Sequence, residues 1–135
     1  MEKIEVEAKI ENLNDVTMFV DGMLEDKECS MKAQMQIDVA VEEIFVNIAS
    51  YAYGDKTGMA EICFGFDEST RTAVLTFIDQ GVKYDPLAKE DPDITLSASE
   101  RQIGGLGIFM VKKSMDEMLY EYKDGCNILT LKKVI

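Results

Sequence analysis

The sequence predicts an α/β (α+β) fold: a two-layer α/β sandwich with a mixed, mostly antiparallel sheet covered on one face by about three helices. Segments in both halves of the chain alternate apolar and polar residues, as half-buried strands do. Three other segments repeat apolar residues at helical spacing. Polar turns join successive strands into hairpins, and hairpins build antiparallel sheets whose apolar face needs a covering layer.

The first two predicted elements are a strand and a helix. Residues 3–10 alternate between apolar and charged side chains and predict a half-buried strand. The stretch from Asn12 to Asp15 then offers side chains that cap helices. From Val16 onward apolar residues recur at helical spacing, which predicts a helix that ends near Glu28.

A second, longer helix and a hairpin follow. Ser30 has the side chain of an N-cap, and the helix that it opens is predicted to run to about Tyr53. Gly54 is suited to end that helix. Two strands over 59–66 and 71–78 flank a polar turn and predict a hairpin.

The last part of the chain is predicted to be a long loop, a helix and a second hairpin. Residues 79–103 hold both prolines and keep no regular pattern, and loops of this length in a compact domain are usually functional. A glycine-rich stretch then opens a helix from Ile108 to about Met115. Strands over 117–123 and 127–134 meet at the Asp124-Gly125 dipeptide, which is typical of a tight hairpin turn.

Composition limits the function classes. The 135 residues fit one domain, 1–135, and no apolar run is long enough to span a bilayer. The N-terminus lacks a signal-peptide pattern, so we expect a cytoplasmic protein. A net charge of −12 disfavours nucleic acid and anionic membranes as partners and suits either a basic protein partner or plain solubility. The absence of histidine excludes a Ser-His-Asp triad and histidine-ligated metals.

The first candidate cluster lies on the second helix. Glu43 and Asn47 are four residues apart and therefore share one helix face, at the edge of the apolar stripe. A carboxylate beside a carboxamide at the border of a core suits a general base next to an oxygen ligand for magnesium. It equally suits a polar helix edge closed by a side-chain hydrogen bond, and the pattern alone leaves both interpretations open.

The second candidate cluster follows the strand that ends at residue 78. The carboxylate of Asp79 could accept a hydrogen bond from an exocyclic amine such as that of adenine. Gly81 would let the backbone approach a ligand closely. Because Asp and Gly are also common where strands end, an ordinary turn is the alternative interpretation.

The third candidate cluster is the glycine-rich stretch over 104–107. Free backbone N–H groups at a helix N-terminus bind phosphate, and glycines allow a close approach. The stretch is neither a Walker A loop, because no Lys-Ser or Lys-Thr follows, nor a Rossmann fingerprint, because no strand leads into it. A simple glycine hinge explains the same residues equally well.

The order of the clusters is more specific than any one of them. A helix edge with Glu43 and Asn47 comes first, then a strand ending in Asp79–Gly81, then a long loop, then Gly105–Gly107 opening a helix. This arrangement resembles the GHKL ATPase superfamily, which includes gyrase, heat-shock chaperones, histidine kinases and mismatch-repair ATPases. Within it, the chain is most similar to the small, free-standing anti-sigma-factor serine/threonine kinases. The resemblance covers nearly the whole chain and implies a Bergerat-type ATP-binding fold.

The resemblance also implies a role for each motif residue. Asn47 looks like the ligand of Mg²⁺, and Glu43 looks like the general base that takes the proton from a substrate serine. Asp79 looks like the residue that reads adenine, with Gly81 beside it. All four would therefore contact, or lie next to, bound Mg-ATP.

The remaining carried-over residues concern the phosphates and the lid. Gly105-Leu106-Gly107 looks like the glycine box, which contacts phosphates and hinges a lid over about 85–103. Arg101 resembles the lid arginine that reaches the γ-phosphate in relatives, and Lys83 is a second candidate cation.

The resemblance implies an Mg-ATP-dependent protein kinase and anti-sigma-type regulator. Its partners would be an anti-sigma-factor antagonist of the STAS type and a sigma factor, and a homodimer is one arrangement because family members are often dimers. Two alternatives stay open: a catalytically weak, ATP-gated protein-binding module, and a scaffolding domain with a degenerate nucleotide site.

Overall fold

A computed structural model of the chain describes residues 1–88 and 105–135. The order of its elements is the one that the sequence predicts, and their bounds are β1 Glu2–Glu7, α1 Leu13–Asp26, α2 Met31–Asn47, β2 Met59–Asp67, β3 Thr72–Asp79, α3 Gly105–Ser114, β4 Glu117–Lys123 and β5 Cys126–Val134. Most of the predicted lid, with Arg101, lies outside the described residues.

The strands form one five-stranded sheet in the order β1-β2-β3-β5-β4. All four neighbouring pairs are antiparallel, which confirms the predicted mostly antiparallel sheet. In the β4–β5 hairpin, Asp124 and Gly125 have φ of 53° and 78°, as a two-residue hairpin turn requires. The central β3–β5 pair places Asp79 opposite Asn127, at the ends of their strands.

The core lies between one face of the sheet and the helices. Along β3 the buried residues alternate, from Ala73 through Leu75 and Phe77 to Asp79, so this polar residue continues an apolar row. Each large core side chain stabilises the fold by about 3 kcal/mol relative to alanine. The largest fully buried side chains are Phe45, Phe77, Leu24, Ile37, Ile62, Leu75, Leu131, Val16, Val20, Val41 and Val111.

Several element bounds differ from the prediction, among them the start of α3, which is at Gly105 rather than at Ile108. The first strand ends at Glu7 rather than at residue 10, because the chain turns there and Asn12 Nδ2 donates to the Glu7 carbonyl at 2.9 Å. The long helix begins as predicted, with the Ser30 hydroxyl accepting from Ala33 N at 3.2 Å. It then changes at Ile48 into a π-helical turn, Ile48–Ala52, before the chain leaves helical geometry.

No helix within residues 1–88 and 105–135 is long and apolar enough to cross a membrane.

Helices α1 and α2 bring two carboxyl groups together. The carboxyl groups of Asp38 and Asp21 interact, and Glu25 adds a further negative charge from α1. Burial, followed by these neighbours, raises the pKa of Asp38 to about 7. The Oδ1 atoms of Asp21 and Asp38 are buried and accept no hydrogen bond within the described part of the chain. The pair is therefore accommodated best when it keeps a proton.

We predict that Asp38→Asn flattens the pH dependence of stability. Because the folded-state pKa lies above the unfolded value of about 4, the wild-type protein loses stability as pH rises from about 4 to 7, and the loss is complete above that range. Asp38→Asn should thus be more stable than wild type at pH 8, by about 1 kcal/mol because solvent screens a partly exposed pair, and little changed at pH 5. Urea unfolding at both pH values measures this.

The control is Glu5→Gln, an exposed position on β1 that changes the net charge equally. Equal pH profiles for Asp38→Asn and the wild type would contradict the prediction.

Candidate functional site

A cavity of about 470 Å³ opens between α2, α3 and the end of the sheet where β3 and β5 pair. Most of its wall is apolar, which suits a flat organic ring. The polar side chains that line it are Asn47, Tyr51, Asp79, Lys83, Tyr84, Tyr120 and Asn127. The apolar ones are Ile44, Ile48, Ala52, Phe77, Val82, Pro86, Ile108 and Leu129.

Asp79 is the buried carboxylate of this cavity, with 6% of its surface exposed. Its Oδ1 accepts from Gly81 N at 2.9 Å and from Asn127 Nδ2 at 3.0 Å. Both hydrogen bonds converge on the same oxygen. The other oxygen, Oδ2, forms no hydrogen bond with the described residues. It is therefore available to a donor in the cavity.

Asn127 is the functional candidate that sequence reasoning missed. It is 7% exposed, and all four of its hydrogen-bonding positions are used. Its Nδ2 donates to Asp79 and to the Val82 carbonyl at 2.9 Å, while its Oδ1 accepts from Tyr84 N at 3.0 Å and Tyr120 Oη at 2.5 Å. The signal in the sequence was its position: along β5 it takes a core-facing place that Leu129 and Leu131 share.

Tyr120 completes this network from β4. Burial raises the pKa of its hydroxyl above the ordinary tyrosine value, so the group keeps its proton and donates it to Asn127. Three strands and the segment after β3 thus meet at one amide.

Gly81 lies close to the protein's own backbone rather than beside open space. A Cβ at this position would overlap the backbone carbonyl of Ala52, at the end of the π-helical turn. The neighbouring Val82 N donates to the same carbonyl at 2.8 Å. Only glycine lets the chain after Asp79 lie against the end of this turn.

Tyr53 makes a second connection between the end of the π-helical turn and the segment after Asp79. Its hydroxyl donates to the Met59 carbonyl at 2.5 Å and accepts from Gln80 N at 2.8 Å. Burial raises the pKa of this hydroxyl, which keeps it a donor.

Glu43 and Asn47 lie together as predicted, on one face of α2. Asn47 Nδ2 is 3.5 Å from Glu43 Oε1, a long hydrogen bond, and Asn47 lines the cavity. Gly107, in the first described turns of α3, faces them: a Cβ there would overlap the Glu43 carboxylate. The structure therefore brings the first and third sequence clusters into contact.

Of the two cations that the sequence predicts, Lys83 and Arg101, the structure describes only Lys83. Lys83 lines the cavity, but its Nζ lies 5.5 Å from the ring centroid of Tyr122, in cation–π contact. Arg101 falls outside the described residues. Within the described ranges, no group of three or more His, Cys, Asp and Glu side chains could hold a metal ion by itself.

Residues 6–133 match the family model of the histidine kinase-like ATPase domain. The chain belongs to this family. The resemblance based on Glu43, Asn47, Asp79 and the glycine box is thereby confirmed at family level.

Two kinases illustrate how distant its relatives in this ATPase family are. The chain is 28% identical over 102 residues to the serine/threonine-protein kinase BtrW of Bordetella bronchiseptica, a match that covers 76% of the chain and 71% of that protein. It is 25% identical over 139 residues to the serine-protein kinase RsbW of Bacillus cereus, covering 98% of the chain and 86% of that protein.

A solved structure shows the same fold. The crystal structure of the RsbU and RsbW domains of Rv1364c from Mycobacterium tuberculosis superposes with a TM-score of 0.63 at 14% sequence identity. The match covers 98% of this chain but only 32% of that one, so this chain corresponds to one part of that longer protein. The predicted α+β fold with an antiparallel sheet and three helices is confirmed.

We predict opposite effects of alanine at two glycines. Gly81→Ala should lower the free energy of unfolding by about 2 kcal/mol, because the new methyl group meets rigid backbone at Ala52. Gly22→Ala, the matched control, should raise it by about 0.5 kcal/mol, because Gly22 lies in α1 with nothing near its missing Cβ. Urea unfolding measures both, and a Gly81→Ala variant as stable as Gly22→Ala would contradict the prediction.

Proposed function

We propose that this protein is an Mg-ATP-dependent serine/threonine protein kinase that phosphorylates, and binds, a regulatory partner protein. The observation that carries the proposal is the position of the Glu43–Asn47 pair beside the cavity that holds Asp79. In this proposal Glu43 is the general base, Asn47 the metal ligand and Asp79 the carboxylate that binds adenine. Asn47 and Asp79 line the cavity, and Glu43 lies beside Asn47.

The cavity suits adenine. Its apolar walls, formed by Ile48, Val82 and Leu129 among others, can cover the faces of a purine ring. At its edge Asp79 Oδ2 can accept from the exocyclic amine, since Oδ1 is already occupied by Gly81 and Asn127.

The phosphate end lies towards α3 in this proposal. Gly105, Leu106 and Gly107 form the first described turn of that helix, where backbone N–H groups and the helix dipole favour anions. Arg101 and Lys83 are the cations that would add to this field.

Asn47 fits a magnesium ligand. Because its Nδ2 is directed to Glu43, its amide oxygen is left for a cation. Magnesium commonly takes one or two protein oxygens and completes its shell with phosphates and water, so a three-carboxylate cluster is not required. When bound, it would neutralise charge that develops on the transferred phosphoryl group.

Glu43 would act as the general base. Its carboxylate takes the proton of the substrate serine or threonine hydroxyl, whose oxygen forms the new bond to the γ-phosphorus. The bond from that phosphorus to the bridging β-oxygen breaks, and ADP leaves. The contact with Gly107 holds the carboxylate near the start of α3, where the phosphates would lie.

The kinase names of the BtrW and RsbW relatives support this proposal. By analogy with the anti-sigma-factor kinases, we propose a STAS-type antagonist as the phosphorylated partner, a sigma factor as a second partner, and action in the cytoplasm. The acidic net charge of −12 suits a partner with a basic surface.

A catalytically weak, ATP-gated binding module is the second candidate. The position of Lys83 over Tyr122 favours it, because that ammonium group is then held away from a phosphate. The two candidates differ in phosphoryl transfer and agree in nucleotide binding.

We predict magnesium-dependent ATP binding in the micromolar range. Calorimetry with and without Mg²⁺ measures it on the wild type, Asn47→Ala and Asp79→Asn. Asn47→Ala should remove most of the magnesium dependence, and Asp79→Asn should weaken ATP binding by about tenfold or more, because a buried acceptor is lost. Absence of binding at millimolar ATP would contradict the proposal.

We predict that Glu43→Gln abolishes transfer but not binding. The measurement is transfer of labelled γ-phosphate to STAS-domain proteins of the same organism, with ATP affinity measured in parallel. Transfer should fall by about a hundredfold or more while ATP affinity changes by less than about threefold, since the base acts on the hydroxyl and not on the nucleotide. The exposed neighbour Glu42→Gln is the matched control. Transfer by Glu43→Gln at the wild-type rate would eliminate Glu43 as the base.

A further inference from the structure

The hydrogen bonds of Asn127 fix both its own orientation and that of Asp79. The Val82 carbonyl can only accept and the Tyr84 N–H can only donate, so the amide has one orientation that satisfies both. In that orientation Nδ2 faces Asp79 Oδ1 at 3.0 Å. The side chain is buried and fully bonded, so rotation would leave buried polar groups unpaired.

We infer that Asn127 is the positioning residue that makes this cavity select adenine over guanine, an inference that rests on the proposed nucleotide binding. It holds Asp79 so that Oδ2 is presented to the ligand as an acceptor. Asn127 itself has no donor or acceptor left for the base.

The selectivity follows from what the two purines carry at the same ring position. Adenine carries an amino group, which donates to Asp79 Oδ2, and guanine carries a carbonyl oxygen, which is an acceptor. A carboxylate facing that carbonyl would leave two acceptors opposed. Sites built to hydrogen-bond one group reject the analogue that lacks it because their buried polar atoms stay unpaired.

The register of the β3–β5 pair explains why Asn127 positions Asp79. Asp79 and Asn127 are direct partners across β3 and β5, and both occupy core-facing positions. An amide on the neighbouring strand is therefore the only group of β5 opposite the carboxylate. Tyr120 and Tyr84 hold the amide oxygen from the other side.

The test measures binding of three Mg-nucleotides by calorimetry: ATP, GTP and purine riboside triphosphate, which is ATP without its 6-amino group. The variants are Asn127→Ala and the milder Asn127→Ser, whose hydroxyl can still donate to Asp79. Ile128→Ala is the matched control, because Ile128 lies on the opposite face of the same strand. Thermal unfolding of each variant monitors the fold.

The readout is the ratio of affinities within each protein, which a general loss of stability would not change. In the wild type, ATP should bind about tenfold or more tightly than the analogue and than GTP. In Asn127→Ala both ratios should fall to within about threefold, in Asn127→Ser they should be intermediate, and in Ile128→Ala they should equal those of the wild type. If Asn127→Ala does not fold, the ratios of Asn127→Ser decide.

Two results would overturn the inference while leaving the proposed function intact. One is a wild type that binds ATP no better than the analogue. The other is a set of Asn127 variants that lose affinity for all three nucleotides by the same factor. If the wild type binds none of the three, the proposed function fails and this inference fails with it.

Discussion

The pairing of β3 with β5 is the constraint on which the candidate site depends. It sets Asp79 opposite Asn127 at the end of two core-facing rows, where both side chains are largely removed from water. Burying a carboxylate is tolerated only if fixed donors replace water, and here Gly81 N and Asn127 Nδ2 do so. The wall of the cavity is mainly apolar, and Asp79 and Asn127 form its buried polar corner.

The long helix α2 connects this corner to the residues of the proposed chemistry. Its last turns carry Glu43 and Asn47, and the π-helical turn that follows ends at Ala52, against which Gly81 is packed. The glycine at position 107 brings α3 against the Glu43 carboxylate. Gly81 is thus required by a close contact with rigid backbone, whereas Gly107 lies against the flexible end of a side chain, and both contacts are visible only in three dimensions.

The sequence predicted what local periodicity controls. Element types, their order, the Ser30 cap and the hairpin turn at Asp124 all follow from side-chain spacing and turn chemistry, and the structure confirms them. The end of β1 and the π-helical turn do not follow from periodicity; Asn12 Nδ2 donates to a carbonyl at the first, and Val82 N donates to a carbonyl at the end of the second. Asn127 was missed because its role depends on a partner 48 positions away along the chain.

The contact between Gly81 and Ala52 has a thermodynamic consequence. Because this carbonyl belongs to the continuation of α2, a shift of the segment after Asp79 away from the helix that carries Asn47 would break the hydrogen bond from Val82 N. Two groups of one ligand that bind at the two ends of such a unit would be coupled, and a coupling free energy between two sites is reciprocal. Under the proposed function, the affinities for the nucleobase and for the metal-bound phosphates would then not be additive, and a substitution at one end of the cavity would also change binding at the other.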